Sequence, residues 1–214
     1  TSVRMLDNVI DTSKFPLEKQ REEALYKRRM GLGVTGLADM LFMLGYRYGS
    51  HESIDIVGEI MKVIAVAAYE ESILMAEELS PAPVMETKEA RGALCNSGFM
   101  KGMPPHIISG IMKHGIRNAL LLSIAPTGTI SMFAGNVSSG IEPIFAPSYD
   151  RKVTRQSGVI ESEVVHSYSV DEYFKLGHSK EDEWWKLHMV TAQDLTPEDH
   201  IAMQAACQRW IDSS

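Results

Sequence analysis

Thr127, Thr129 and Ser131 place three hydroxyls at alternate positions of Ala125-Pro126-Thr127-Gly128-Thr129-Ile130-Ser131. Hydroxyls at that spacing can donate to a single anion. Gly128 lies between two of them. It has no side chain, so the backbone there can approach a ligand or take a positive φ. Before the turn, Leu120-Leu121-Leu122-Ser123-Ile124 is an apolar run of strand length; after it, Ile130-Ser131-Met132-Phe133-Ala134 can start a helix. A helix N-terminus offers unpaired N–H groups and the positive end of a dipole, which together suit an anion. The GxxxxGK[ST] pattern is missing, so this is not a Walker A loop. The loop has no lysine, so charge compensation falls to the helix end and to a cation elsewhere, for which Arg117 is the candidate. Spacing alone leaves a second interpretation open, a capped strand-to-helix turn that binds nothing, because Thr and Ser are common caps.

Other residues invite chemistry less strongly. Gly31, Gly33 and Gly36 form G-x-G-x-x-G, but they follow a charged helix where a dinucleotide fingerprint follows a strand. A short inner strand over 32–35, with glycines that allow close packing, fits better. Glu142 is the only charge in an apolar stretch. It reads either as a carboxylate paired to backbone or arginine, or as a polar group in a substrate pocket. Glu70, Glu71, Glu77 and Glu78 read as a solvated face, with no histidine beside them to complete a metal site. Cys95 and Cys207 are the only cysteines. They provide no disulfide framework and no metal quartet, and they suit a reducing compartment.

The elements that must position these residues read as α/β. Residues 1–10 form a helix with Val3, Leu6, Val9 and Ile10 on one face. A charged helix covers 17–29. Leu37–Leu44 is a short apolar helix stopped by Gly45. His51–Glu78 is a long helix whose Ala65, Ala67 and Ala68 suit close packing. Residues 85–103 look irregular, and 104–114 form a helix. Gly140 marks a turn before a strand over 141–145. Ser148–Thr154 is extended. Helices are expected over 161–175 and 181–187, with Trp184 and Trp185 as packing anchors. Thr196 caps a helix with Pro197 at its first position and Asp199 answering the cap. An amphipathic helix over 201–211 follows.

The chain has 214 residues, 44% of them hydrophobic and 23% charged, as in an ordinary soluble globular protein. Its net charge of −7 argues against a general nucleic-acid-binding surface. No apolar run is long enough to span a bilayer, and no signal peptide is visible. The cytoplasm is the expected location. The chain starts and stops within helical patterns, so a segment of a longer polypeptide is expected.

Three stretches carry a resemblance. They are His114-Gly115-Ile116-Arg117-Asn118, then Ile124 through the turn to Ser131, then Asn136-Val137-Ser138-Ser139-Gly140-Ile141-Glu142-Pro143. Together they resemble the large catalytic chain of ribonucleotide reductase, and the 125–131 version looks most like the adenosylcobalamin-dependent class. The likeness runs from Met5-Leu6-Asp7-Asn8-Val9-Ile10 to Met203-Gln204 and Trp210-Ile211-Asp212-Ser213-Ser214. It implies the second half of a ten-stranded α/β barrel, rich in helix. Ala125, Pro126, Thr127, Gly128, Thr129, Ile130 and Ser131 would hold the substrate's diphosphate. Asn118, Gly140, Ile141, Glu142 and Pro143 would belong to the pocket.

The implied reaction replaces a ribose 2′-hydroxyl with hydrogen through a cysteine thiyl radical. The radical cysteine lies on a finger loop before the position of Thr1, so the segment itself is expected to hold no catalytic residue and no metal ligand. Adenosylcobalamin, with its cobalt, is the implied cofactor. The implied partners are a ribonucleoside di- or triphosphate, the rest of the reductase chain, a thioredoxin-like reductant, a deoxynucleotide effector and a second copy in a homodimer. DNA, RNA and membrane are not among them. Two other classes stay open, a free-standing nucleotide- or phosphate-binding module and a purely structural helical domain.

Overall fold

The computed structural model describes residues 1–154, 158 and 160–213. Ser214, which closes the last resemblance motif, lies outside them. The helices in chain order are α1 (Ser2–Thr12), α2 (Glu18–Lys27), α3 (Leu37–Leu44), α4 (His51–Glu78), α5 (Lys88–Cys95), α6 (Pro105–His114), α7 (Gly128–Phe133), α8 (Tyr168–Lys175), α9 (Glu183–His188) and α10 (Pro197–Gln208). The strands are β1 (Ser148–Thr154) and β2 (Ile160–His166). The backbone divides into two compact units. One comprises Thr1–Gly33, Gly58–Ile124 and Ala206–Ser214; the other comprises Val34–Val57 and Ala125–Ala205.

In the first unit, α1 turns Val3 and Asp7 inward. Val9, expected on the apolar face, is 51% exposed. Positions 3, 7 and 10 fall on one side of a helix and position 9 does not. Asp7 holds the inward place because Arg28 meets it there, Nε to Oδ1 at 2.8 Å. Arg28 ends α2 in the left-handed region at φ 46° and also pairs with Asp11. Asn118 completes the cluster. Its Nδ2 donates to Asp7 Oδ1 and to the Arg28 carbonyl, and its Oδ1 accepts from Ser72 of α4.

The strands expected over 32–35 and 120–124 are reduced to one parallel bridge, Leu32 with Leu122. Leu32 N–H donates to Leu121 O, and Ser123 N–H donates to Leu32 O. The next rung of a parallel ladder needs the Leu121 N–H. That donor goes instead to Asp212, whose carboxylate also takes the Leu122 N–H. The glycines do serve close packing. A Cβ at Gly31 would stand 2.6 Å from Ser123 Oγ, and one at Gly33 would stand 2.5 Å from Ser123 O.

Two further expectations for this unit need correction. Residues 85–103 are not irregular throughout, because α5 forms there with Thr87 accepting from the Ala90 N–H. Its Gly92 faces open space, where a helical glycine is tolerated. The carboxylates of α4 do have histidines beside them: His106 lies 2.8 Å from Glu70, and His114 lies 3.6 Å from Glu77. Arg4 bridges Glu71 and Glu78. Of the three alanines, Ala65 and Ala68 are buried and Ala67 is exposed.

In the second unit, α3 carries a buried Asp39. One of its oxygens accepts the Ser138 N–H and the other accepts the Ser169 N–H. Phe42 packs edge-on to Tyr173 and Trp185, and Trp185 stacks on Phe174. Trp184 closes over Gly45. β1 and β2 pair antiparallel, from Ser148 with His166 to Thr154 with Ile160. The helix expected over 161–175 is therefore a strand and then a helix. Val164 and Val165 favour the extended form, and β1 supplies the pairing partner. The strand expected over 141–145 amounts to one bridge, Ile144 with Thr191. α10 begins as expected, with Thr196 and Asp199 exchanging backbone and side-chain bonds. Among the described residues no helix is long and apolar enough to cross a membrane.

Candidate functional site

The 125–131 turn lies in the second unit and does start a helix. Of the two uses open to Gly128, close approach and a positive φ, the positive φ falls instead to Thr127, at 51°. Gly128 is the first residue of α7. A β-branched residue at positive φ is costly and persists only where its surroundings hold it. Thr127 is held from both sides. Its Oγ1 accepts the Gly140 N–H at 2.6 Å and donates to Thr35 Oγ1 at 3.2 Å. Thr35 Oγ1 in turn donates to Ser138 O.

This arrangement reassigns the three hydroxyls. The Thr127 hydroxyl is committed to the scaffold. Ser131 is buried, and its Oγ turns back to Gly128 O at 3.0 Å. Thr129 alone of the three is exposed. The donors left for an anion are chiefly backbone. No side chain among the described residues caps α7, and its first intrahelical bond is Ser131 N–H to Thr127 O. The N–H groups before that have no partner within the helix. A Cβ built on Gly128 would meet nothing within 4 Å, so this face is open.

Gly140 is required where it stands. It has φ +42°, and a Cβ there would come within 2.7 Å of both Ala125 O and Glu142 Oε2. Ile141 is buried, and its carbonyl accepts the Tyr48 hydroxyl. Glu142 and Pro143 line a cavity of about 810 Å³ together with Gly128, Ser131, Asn136 and Ser167. Glu142 is exposed, with no arginine paired to it among the described residues. Asn118 is different. It belongs to the first unit and is fully buried, and both of its side-chain polar atoms are paired as described above. Arg117, the cation nominated from the sequence, also belongs to the first unit. It is committed to Asp7 at 3.2 Å and to Ser80 O.

Asn136 has a positioning role that its place in the resemblance motif does not announce. It sits at φ +62° just after Gly135. Its Oδ1 accepts from Tyr149 and Arg151 of β1, and its Nδ2 donates to His166 O of β2. It thus ties the hairpin to the segment that leaves α7. The signal available in the sequence was the Gly-Asn pair, since Asn tolerates the left-handed region.

The cysteines offer no poised nucleophile. Burial pushes the Cys207 thiol up to about 11 and raises that of Cys95 as well. Reactive cysteines have lowered values. Among the described residues no group of three or more His, Cys, Asp or Glu is arranged for a metal ion. Chemically, the arrangement is a helix start with N–H groups unpaired within the helix, beside a cavity of mixed polar and apolar lining.

A family model described as "Ribonucleotide reductase, barrel domain" matches residues 1–214. The vitamin B12-dependent ribonucleoside-diphosphate reductase of Thermoplasma acidophilum is 35% identical over 231 residues, covering 100% of this chain and 27% of that protein. The enzyme of the same name from Mycobacterium tuberculosis is 32% identical over 229 residues, covering 100% of this chain and 30% of that protein. The ribonucleoside-diphosphate reductase large subunit of Caenorhabditis elegans is 35% identical over 158 residues, covering 70% of this chain and 20% of that protein. The chain therefore spans less than a third of the length of these relatives.

Proposed function

The chain belongs to the ribonucleotide reductase barrel-domain family, and from that premise we propose that it serves an enzyme that reduces ribonucleoside di- or triphosphates to 2′-deoxyribonucleotides. Its own part is to grip the substrate's diphosphate with the start of α7 and to wall the pocket. The observation that carries this is the uncapped α7 N-terminus beside a Gly128 with open space in front of it. Helix-end attraction contributes about 0.3–1 kcal/mol at exposed sites. Each charge-assisted hydrogen bond adds about 1.5–3 kcal/mol, so a few N–H groups together can hold a diphosphate. The two parallel bridges, Leu32 with Leu122 and Ile144 with Thr191, support reading the segment as part of a ten-stranded α/β barrel.

The names of the B12-dependent relatives support adenosylcobalamin as the cofactor of the whole enzyme. The residues present do not fit it. A cavity of about 810 Å³ matches a nucleotide-sized ligand, and a corrin with its nucleotide loop is far larger. Within this reading the segment supplies no catalytic cysteine. The remaining partners are other parts of the reductase chain, a thioredoxin-like reductant, a deoxynucleotide effector and a second copy. The two free thiols suit work in the cytoplasm, where it would supply precursors for DNA replication.

Phosphorus NMR of a ribonucleoside diphosphate added to the intact polypeptide tests the proposal. Both phosphorus resonances should move on binding, and inorganic diphosphate should reverse the shift. Resonances that stay at their free positions would contradict it.

A further inference from the structure

Lys101 sits in the single helical turn Phe99–Gly102, and Arg209 follows directly on α10. Both line a cleft of about 530 Å³ in the first unit, whose wall also includes Gly98, Phe99 and Gly102. In a chain of net charge −7, that wall holds two cations and no carboxylate. Neither cation makes an ion pair among the described residues. Asp212, three residues past Arg209, is committed elsewhere: its carboxylate accepts the Leu121 and Leu122 N–H groups and the Tyr69 hydroxyl.

Arg209 has a fixed platform. Its guanidinium lies 5.5 Å from the centre of the buried Trp210 ring, and the Lys62 ammonium lies 6.0 Å from the same ring. Lys62 is answered by Glu59 at 3.3 Å. Stacking on an aromatic face restricts a guanidinium while leaving its N–H edge available, and that edge matches a phosphate through two parallel hydrogen bonds. The cleft is open to such a group. A Cβ on Gly98 would meet nothing within 4 Å, and one on Gly102 would meet only Trp210, at 3.9 Å.

A recess lined by one sign of charge concentrates counter-ions. The C-terminal end of α10 opposes an anion with about half an elementary charge, which two full cations outweigh. A volume of about 530 Å³ falls within the range of small-molecule sites.

We propose that this cleft binds a small phosphate-bearing anion, with Arg209 taking two phosphate oxygens and Lys101 pairing with the remaining charge. The site draws on no residue of the α7 turn, which belongs to the second unit. It therefore stands or falls independently of the diphosphate assignment.

The test is lysine acylation of the intact polypeptide, read by peptide mass spectrometry, with inorganic tripolyphosphate as the probe. Tripolyphosphate should protect Lys101 saturably and leave the exposed Lys14 reacting at its free rate. Arg209→Gln should raise the concentration for half-protection at least tenfold with the thermal melt unchanged. Arg209→Lys, which keeps the charge and loses the fork, should fall between that variant and the parent. Gly128→Val should protect Lys101 as the parent does. An unprotected Lys101 would overturn the proposal. Protection that Arg209→Gln leaves intact would also overturn it, and would leave Arg209 only the task of answering the α10 dipole. Equal protection by a glutamate-rich peptide at the same concentration of charge would overturn it in favour of an acidic protein segment.

Discussion

The Thr127 hydroxyl accepts the Gly140 N–H at 2.6 Å, which joins the turn before α7 to the glycine corner before Glu142. One hydrogen bond thus fixes two stretches that the sequence presents 13 residues apart. Thr127→Val keeps the shape and removes the acceptor. It leaves the Gly140 N–H unpaired in a part-buried site, at a cost of about 1–3 kcal/mol. Thr127→Ser should restore most of the loss. Thermal melts of the three proteins check this, and a valine variant as stable as the parent would refute it.

Asp7 is the centre of the first unit's polar cluster. Burial pushes its carboxyl up. Hydrogen bonds from Arg28 and Asn118 and the charges of Arg28 and Arg117 outweigh that and hold it below the usual carboxylate range. With the folded value lower than the unfolded one, the ionised group stabilises the fold above the unfolded pKa. That contribution drains away as pH falls through the depressed folded value. Asp7→Ala should cost about 3–5 kcal/mol, since it strands a buried Arg28. Denaturant melts at neutral pH and in acid measure both effects. The variant should lose much less stability on acidification than the parent, and a parallel decline would count against the assignment.

Gly33→Ala tests the glycine fingerprint. A methyl there would meet the Ser123 carbonyl, which is backbone and cannot step aside cheaply. Overpacking of this kind costs about 1–3 kcal/mol. Titration with NADH should show no saturable binding to the parent protein. Binding that the alanine variant abolishes without loss of stability would reverse the conclusion.

The two thiols should resist alkylation at neutral pH in the native protein, because burial raises both. Cys207, buried within α10, should react only after unfolding. Mass spectrometry after iodoacetamide treatment, with and without denaturant, checks this. Rapid native labelling of Cys207 would contradict it.

The helices were largely legible because their signals are local. Gly45 stops α3, Pro197 starts α10, and α4 spans His51–Glu78 as the sequence leads one to expect. The strands were less legible because their hydrogen bonds are settled at a distance. The Leu121 N–H goes to Asp212, 91 residues away, and nothing near Leu121 announces it. The turn is legible, and Gly128 keeps the open approach that its missing side chain allows. Intrinsic preference gives positive φ to Gly128, and the bonds from Gly140 and to Thr35 give it to Thr127. The resemblance implies a place in the pocket for Asn118. Its burial beside Asp7 depends on α1 and α2 packing around it, which the motif itself does not encode.

The most direct test of the diphosphate assignment is Gly128→Val in the intact polypeptide. Gly128 has helical backbone and open space where a Cβ would go, so valine is compatible with the fold. Its side chain would occupy the approach to the α7 N–H groups. The measurement is ribonucleoside diphosphate affinity beside the thermal melt. An affinity at least tenfold weaker, with the melt unchanged, is the expected result. Unchanged affinity with an unchanged melt would mean that the turn is structural and the diphosphate is held elsewhere.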